Sequence, residues 1–317
     1  MNTKEDLLIR TAELYYHQGL SQNVIAEILS TSRPTVSRML DEARESGIVE
    51  IIIHSPIKKN TALSKALRTA LNLKDAIVVS GDYDYDAALK KCSTAAVHLL
   101  TGILENNNTI GISWGPAINY LCDALEPHEY YNVNVVQMVG CLGTGNPSID
   151  GLELAMKISA KLKGTYSNIY APAFVDNEIV YKYLIAEPQI ETTLKKAMNT
   201  DIILTGVGSL DSSSTLVKAG YFSEKDRKDL ISRGGVGHLQ ARVFDESGRE
   251  IGIEGKYVIS APLDALKTPK WSIGICASEM KAVSVLAAIK AGYINTLVSD
   301  EKLAGKLLEL KVAGKNR

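Results

Sequence analysis

From residue 61 onward, short apolar segments alternate with helical ones, and that alternation restricts the chain to a small set of architectures. The apolar segments lie at 76–79, 109–113 (TIGIS), 133–139 (VNVVQMV), 165–170 (TYSNIY), 201–207 (DIILTGV), 271–277 (WSIGICA) and 294–299 (INTLVS). Helical spacing of apolar residues predicts helices over 62–71 and 87–104, and most of the later strands are also followed by a helical segment. Strands separated by helices form a largely parallel, Rossmann-like sheet covered on both faces, an α/β fold.

In such a sheet, ligands sit beyond the carboxyl ends of the strands, so the residues just after each strand are the candidates for binding. They are Ser113, Trp114 and Gly115 before Pro116; Gly140, Cys141, Gly143 and Thr144 within GCLGTGN; Pro172; Gly206 and Gly208; Gly237 and His238 within GGVGH; and Glu279 and Lys281 within ASEMK. Any one glycine loop is as well explained by a tight turn as by a ligand. Several converging on one sheet edge point to a small polar ligand, anionic where backbone N–H groups open a helix, as after Gly115. Lys281 is then either the partner of an anion or a solvated surface cation, and His238 either a ligand contact or a structural histidine.

Ahead of this region, the segment LSQNVIAEILSTSRPTVSRMLDEARES (20–46) reads as two short helices around a polar turn, Ser30-Thr31-Ser32. Ser21 can cap the first helix, in which Val24, Ile25, Ile28 and Leu29 recur at helical spacing. Ser32 can cap the second, with Pro34 in its first turn, where a missing N–H costs little. Val36, Met39, Leu40 and Ala43 share one face of that helix, leaving Arg33, Ser37, Arg38 and Asp41 away from it. A further helix over 4–18, ending at Gly19, completes an all-α helix-turn-helix head. The donors Ser21, Gln22, Ser32, Arg33, Thr35, Ser37 and Arg38 are suited to the phosphates and base edges of double-stranded DNA. The opposing fact is charge: residues 1–55 carry five Lys and Arg against eight Asp and Glu, net −3, without the basic footprint of a typical DNA binder.

The expected organisation is a head over 1–54, with 48–54 (IVEIIIH) as a strand or wing, a polar linker over 55–60 (SPIKKN), and a ligand-binding and oligomerisation domain over 61–317. A hydrophobic content of 45% supports a real core in the larger part. No apolar run reaches the ~18 residues a bilayer-spanning helix needs, and MNTKEDLLIR lacks the apolar centre of a signal peptide, so no membrane partner and a cytoplasmic location are expected. Cys92, Cys122, Cys141 and Cys276 form no C-x-x-C pair and the five histidines are scattered, so neither a metal site nor a cofactor is expected.

These stretches resemble the SorC family of bacterial sugar-responsive transcriptional regulators, which also contains the Bacillus deoxyribonucleoside regulator. The resemblance runs through LYYHQGLSQNVIAEILSTSRPTVSRMLDEARESGIV, IGISWGPAI, VVQMVGCLG, DIILTGVGS, GGVGHLQARVFDESG and WSIGICASEMKAVSVLAAIKAGYINTLVSDEKLA. It implies an effector domain related to sugar-phosphate isomerases, assembly into homodimers or homotetramers on operator DNA, and a phosphorylated sugar or polyol as effector. Three departures bear on that ligand. Val139 stands where the deoxyribose-phosphate branch has a Schiff-base lysine, His238 where the family often has an acid, and ASEMK where it often has A-G-G-x-x-K. The last form resembles the sorbose and sorbitol regulators, which implies a polyol or ketose phosphate. The rival reading is an isomerase-like enzyme carrying an accessory head.

Overall fold

The computed structural model describes residues 4–50, 57–143, 146–212 and 214–313. The chain forms two compact units, residues 1–56 and 57–317.

In the smaller unit, α1 (Lys4–Ala12) runs into one wider turn, Glu13–His17, and stops at Gly19, whose φ of +65° favours glycine. Helices α2 (Gln22–Ile28) and α3 (Arg33–Glu45) follow, capped by Ser21 and Ser32, whose hydroxyls accept from the N–H groups of Val24 and Thr35. Between them Ser30 adopts a left-handed φ of +50°, which turns the chain sharply. Leu14, Ile25, Ala26, Val36 and Leu40 make the core, and Leu8, Ala12 and Ala43 extend it. Val24 and Ile28, expected to pack with Ile25, are instead exposed. In so small a unit only one narrow side of α2 meets a neighbour. Within the expected wing, residues 48–50 are not a strand, and 51–54 lie outside the described residues.

The larger unit opens with α4 (Thr61–Leu71), β1 (Asp75–Val79), α5 (Tyr85–Ile103), β2 (Thr109–Ile112), α6 (Pro116–Ala124), β3 (Asn134–Gln137), α7 (Gly151–Lys161) and β4 (Thr165–Ser167). A two-residue β5 (Phe174–Val175) precedes α8 (Glu178–Ala186), α9 (Pro188–Ala197) and β6 (Ile202–Thr205). Next come β7 (Gly208–Ser209), α10 (Thr215–Lys218), α11 (Glu224–Ser232), β8 (Gly235–Leu239), β9 (Arg242–Asp245), β10 (Glu250–Ile251) and β11 (Tyr257–Val258). β12 (Trp271–Cys276), α12 (Ala282–Lys290), β13 (Thr296–Asp300) and α13 (Glu301–Ala313) close the chain.

The seven strands anticipated from the sequence form one sheet, ordered β1-β13-β12-β6-β2-β3-β4, with every pairing parallel. Alternate strand residues face opposite helical layers, as the two-residue period requires. Ile203 and Leu297 pack with Leu67, Val285, Leu303 and Leu307 of α4, α12 and α13. Ile202, Leu204 and Val298 pack with Cys92, Leu100, Ile118, Leu121 and Ile158 of α5, α6 and α7.

A second sheet, antiparallel and ordered β10-β9-β8-β7, differs from expectation. GGVGH is not a loop after a parallel strand; its last four residues lie in β8, with His238 paired to Gly208 of β7. Its glycines serve packing, since a Cβ on Gly237 would stand 2.6 Å from the Cβ of Ser284. Beside this sheet a third core gathers Trp114, Val139, Leu142, Phe174, Leu210, Phe222 and Val243, so residues just past β2 and β3 are buried against the antiparallel part. Gly140 belongs to the same packing: a Cβ there would lie 2.5 Å from the carbonyl oxygen of Pro172. Gly140→Ala is therefore expected to cost about 1–3 kcal/mol, because backbone cannot swing aside as a side chain does. A thermal melt of the variant checks this, and an unchanged midpoint would contradict the packing role.

Candidate functional site

Sheet order locates the crevice. From β2 the chain steps outward through β3 to β4, and from β6 it steps the other way through β12 to β13, so the adjacent pair β2 and β6 marks the reversal. At such a switch point the connections leave on opposite faces and open a cleft beyond the carboxyl ends.

The β2 side of that cleft is Ser113-Trp114-Gly115. Ser113 is buried and its N–H donates to Leu204 O (3.2 Å), while Gly115, at φ +104°, leads into α6. Among the described residues no side chain caps α6, although the N–H of Gly115 at its cap donates to Ile149 O (2.9 Å). The positive end of the helix dipole and the first-turn amides beyond Gly115 lie at the switch point, an arrangement that favours an anion.

The β6 side is Gly206-Val207-Gly208. A Cβ on Gly206 would come no nearer than 3.8 Å to Ala117 Cβ and 3.9 Å to Ile275 O, whereas one on Gly208 would lie 1.9 Å from Nε2 of His238. The His238 ring therefore lies flat against the Gly208 backbone, a contact only glycine permits. His238 is buried, with Nε2 3.2 Å from Ser214 Oγ. Burial first, and then the nearby charge of Lys281, push its pKa down to about 3, against an opposing pull from Asp211. At neutral pH the imidazole is uncharged and offers one donor and one acceptor.

Lys281 reaches the cleft from the loop after β12. Its Nζ donates to Val207 O (3.1 Å) and stands 5.7 Å from the centre of the Tyr85 ring. No carboxylate forms an ion pair with it among the described residues. A half-buried cation held only by a carbonyl and a ring face is a ready partner for an anion. Ser278, at a left-handed φ of +78°, shapes this loop, and its N–H donates to Asp300 Oδ1 (3.2 Å). Asp300 is buried at the end of β13, and burial pushes its pKa above the ordinary carboxylate value.

The structure thus brings Gly206, Gly208, His238 and Lys281 together, beside Ser113, Trp114 and Gly115. Glu279 is exposed, and its charge acts on Lys302 and Lys306 of α13. In the β3 loop, residues 140–143 have their backbone donors engaged within the fold. The N–H of Gly140 donates to Ile259 O, that of Cys141 to Ala171 O, and those of Leu142 and Gly143 to Asp150 Oδ2 at 2.8 and 3.0 Å. Asp150 here occupies the place an anionic ligand would take. Burial raises the pKa of the Cys141 thiol, and Pro172 is exposed and bridged to Cys141. Thr144 lies outside the described residues. Tyr85 and Ser214 escaped sequence reasoning as ligand candidates, whereas Asp300, directly after a strand, is among the positions that reasoning marks for inspection. Val139 is fully buried in the third core. Two open surface hollows, of about 180 and 390 Å³, lie around Arg242 and Tyr257 and around Arg249 and Tyr293, away from these strand ends.

On the head, Arg33 and Arg38 are exposed and neither has an ion-pair partner among the described residues, whereas Arg44 is held by Asp41. Ser32 and Thr35 share a 2.8 Å hydroxyl contact at the start of α3, and Ser37 is half-buried. Ser21 is exposed and Gln22 half-buried at the start of α2. The free donors are therefore concentrated in the first two turns of α3.

Residues 55–309 match the family described as "Putative sugar-binding domain". The chain is 28% identical over 315 residues to the deoxyribonucleoside regulator of Bacillus subtilis, covering 96% of this chain and 98% of that one. It is 28% identical to the sorbitol operon regulator of Klebsiella pneumoniae, again covering 96% and 98%. Its structure is similar to that of the full-length sorbitol operon regulator SorC from Klebsiella pneumoniae, with a TM-score of 0.74 and 29% identity over 97% of this chain and all of that one.

The buried, neutral His238 yields a pH prediction. Its folded pKa of about 3 lies below the ordinary 6.5, so the unfolded chain binds the extra proton and its contribution to stability declines as pH falls from 6.5 toward 3. Melting across that range is expected to lose part of its pH dependence in His238→Gln. A His238 ring resonance titrating near 6.5 in the folded protein would contradict the placement.

Proposed function

The chain belongs to the SorC family of regulators with a sugar-binding domain, and on that footing we propose that it is a DNA-binding transcriptional regulator of a carbohydrate-utilisation operon. Its effector is a phosphorylated sugar or polyol held in the crevice between β2 and β6. The observation that carries the ligand assignment is the pairing of an α6 N-terminus without a side-chain cap with Lys281, neither of which meets a carboxylate among the described residues. Neutral His238 and Ser214 would meet sugar hydroxyls, and the phosphate would sit at the helix terminus and the lysine. Buried Val139 supports non-covalent capture over imine formation. The ASEMK form favours a polyol or ketose phosphate.

Kinship with sugar-phosphate isomerases, which the resemblance implies, belongs to the same proposal: a strand-end crevice used for sensing, without turnover. Relatives matched over almost their whole length are named as regulators, and we read the cleft accordingly. The head, residues 1–54 in this reading, would present Arg33, Thr35, Ser37 and Arg38 to a major groove, with Ser21, Gln22 and Ser32 at the flanking backbone. Because it carries net −3, a single head binds weakly, and two copies on a two-fold operator supply the affinity. Exposed Ile179 and Tyr183 on α8, a helix with no buried residue, offer surface for a second copy. Glu178 and Lys182 on that helix form an ion pair with each other (2.8 Å). Effector shifts the heads only through unequal affinity for their two arrangements.

Fluorescence anisotropy with DNA from upstream of the chain's own gene tests this reading. Arg38→Ala is expected to weaken binding about tenfold or more, the scale of about 1–3 kcal/mol for a lost base contact. At least one member of a panel of pentose, hexose and hexitol phosphates should change wild-type affinity and leave Lys281→Ala unmoved. Unchanged binding by Arg38→Ala removes that residue from the interface, and steady turnover of any panel member would overturn the regulatory reading.

A further inference from the structure

Two consecutive acids, Asp300 at the end of β13 and Glu301 at the start of α13, have different tasks. Asp300, facing the crevice, accepts from Ser278 N (3.2 Å) in the loop that carries Lys281 and from Leu303 N (3.1 Å). Glu301, the next residue, turns to β1. Its Oε1 accepts from Asn60 Nδ2 (2.7 Å) and Ser80 Oγ (2.9 Å), and its Oε2 from Gly81 N (3.2 Å). Three donors on one carboxylate hold its pKa below the ordinary value, so it stays ionised.

What Glu301 grips is the start of the larger unit. Residues 58–60 run antiparallel to the end of β1: Lys59 bridges Val79, Asn60 N donates to Val78 O, and Ser80 N donates to Lys58 O, both at 2.8 Å. Ile57 packs into the α5–α6 core, and Asn60 also caps α4 through Leu63 N (2.9 Å). A polar stretch that reads as a free linker is therefore fastened to the same sheet edge that holds the candidate crevice. Val79 and Asp300 are register partners, so the stitched end of β1 lies directly beside the end of β13. The strands behind are buried, and a rigid sheet confines any rearrangement to these ends.

We propose that Glu301 is a positioning residue that couples the crevice to the segment leading to residues 1–56. A shift of the Lys281 loop moves Ser278 N against Asp300, and Asp300 shares a peptide bond with the carboxylate that grips Asn60. The occupancy of the crevice thereby sets how firmly residues 58–60 are held. This coupling rests on the regulatory reading above.

The test swaps donor and acceptor. Asn60→Asp keeps the cap of α4, since aspartate caps as well as asparagine, but removes the Nδ2 donor and sets a second negative charge against Glu301. Adding Glu301→Gln restores a donor facing that aspartate. Lys302→Ala serves as control for loss of a neighbouring charge, because it removes the 2.7 Å ion pair to exposed Asp82 while leaving the Asn60, Ser80 and Gly81 contacts of Glu301 in place. Hydrogen–deuterium exchange on the full chain should show amides of 58–60 and 80–81 exchanging about tenfold faster in Asn60→Asp, with β2, β6 and β12 unchanged. The double variant should recover at least about half of that protection in logarithmic terms, and the control should match wild type. Anisotropy on the upstream DNA, with and without fructose 6-phosphate, is the second readout. DNA affinity should change at least about fivefold in Asn60→Asp and return in the double variant, because the coupling free energy is shared by both sites.

Exchange equal to wild type in Asn60→Asp would overturn the fastening. Faster exchange with DNA affinity unaltered would make the fastening structural only and overturn the coupling. Failure of the wild-type chain to bind DNA would sink the regulatory reading and the coupling with it, while the exchange arm would still report whether Glu301 holds the segment.

Discussion

Parallel pairing is the constraint on which the larger unit depends. Seven strands pointing one way place seven carboxyl ends on one edge, and each must be followed by a crossover covering a face of the sheet. The helices α4, α12 and α13 on one side and α5, α6 and α7 on the other are the result, and the strand order reverses between β2 and β6, where the connections part to opposite faces. Near that reversal lie a helix start without a side-chain cap, a cation without a carboxylate partner among the described residues and a desolvated imidazole. Each is unfavourable in a closed protein core, and on the proposed reading a ligand with an anionic end and a hydroxyl-rich body would offset them.

Much of this was legible in the sequence. All seven parallel strands fall on the apolar segments that predict them; six end within a residue or two of the expected bounds, because a strand buried on both faces leaves a dense run of Val, Ile and Leu, while the exposed edge strand β4 stops three residues early. The caps Ser21 and Ser32 were equally plain, since capping is a local interaction between a side chain and N–H groups three residues on. The antiparallel sheet was not legible. Glycine at 208 and 237 signals a turn, yet here it makes room for the His238 ring and for Ser284, partners far away in sequence. The β3 loop misleads for the same reason: nothing local shows that Asp150 consumes the N–H groups of Leu142 and Gly143.

In the head, helical periodicity is real, but burial depends on how many neighbours surround a helix, so Val24 and Ile28 stay exposed. Residues 55–60 read as a linker from a proline, two lysines and polarity. The hold of 58–60 on β1 uses backbone groups and one asparagine, which composition does not reveal. In the proposed coupling, a head of net charge −3 and a crevice at the strand ends act as one device through the connecting segment, with the Asn60–Glu301 contact as the link.

The central claim is that an anionic sugar occupies the cleft between β2 and β6, and Trp114 sits at its edge as a built-in reporter. The chain has two tryptophans, and Trp271 stands at the opposite, amino-terminal end of β12 beneath Lys74. In a Trp271→Phe background, titration of the sugar phosphate that alters DNA affinity should change Trp114 emission saturably, with the same midpoint as the DNA response and with loss of the change in Lys281→Ala. A compound that alters DNA binding while leaving Trp114 emission flat at every concentration would place the effector elsewhere and contradict the account.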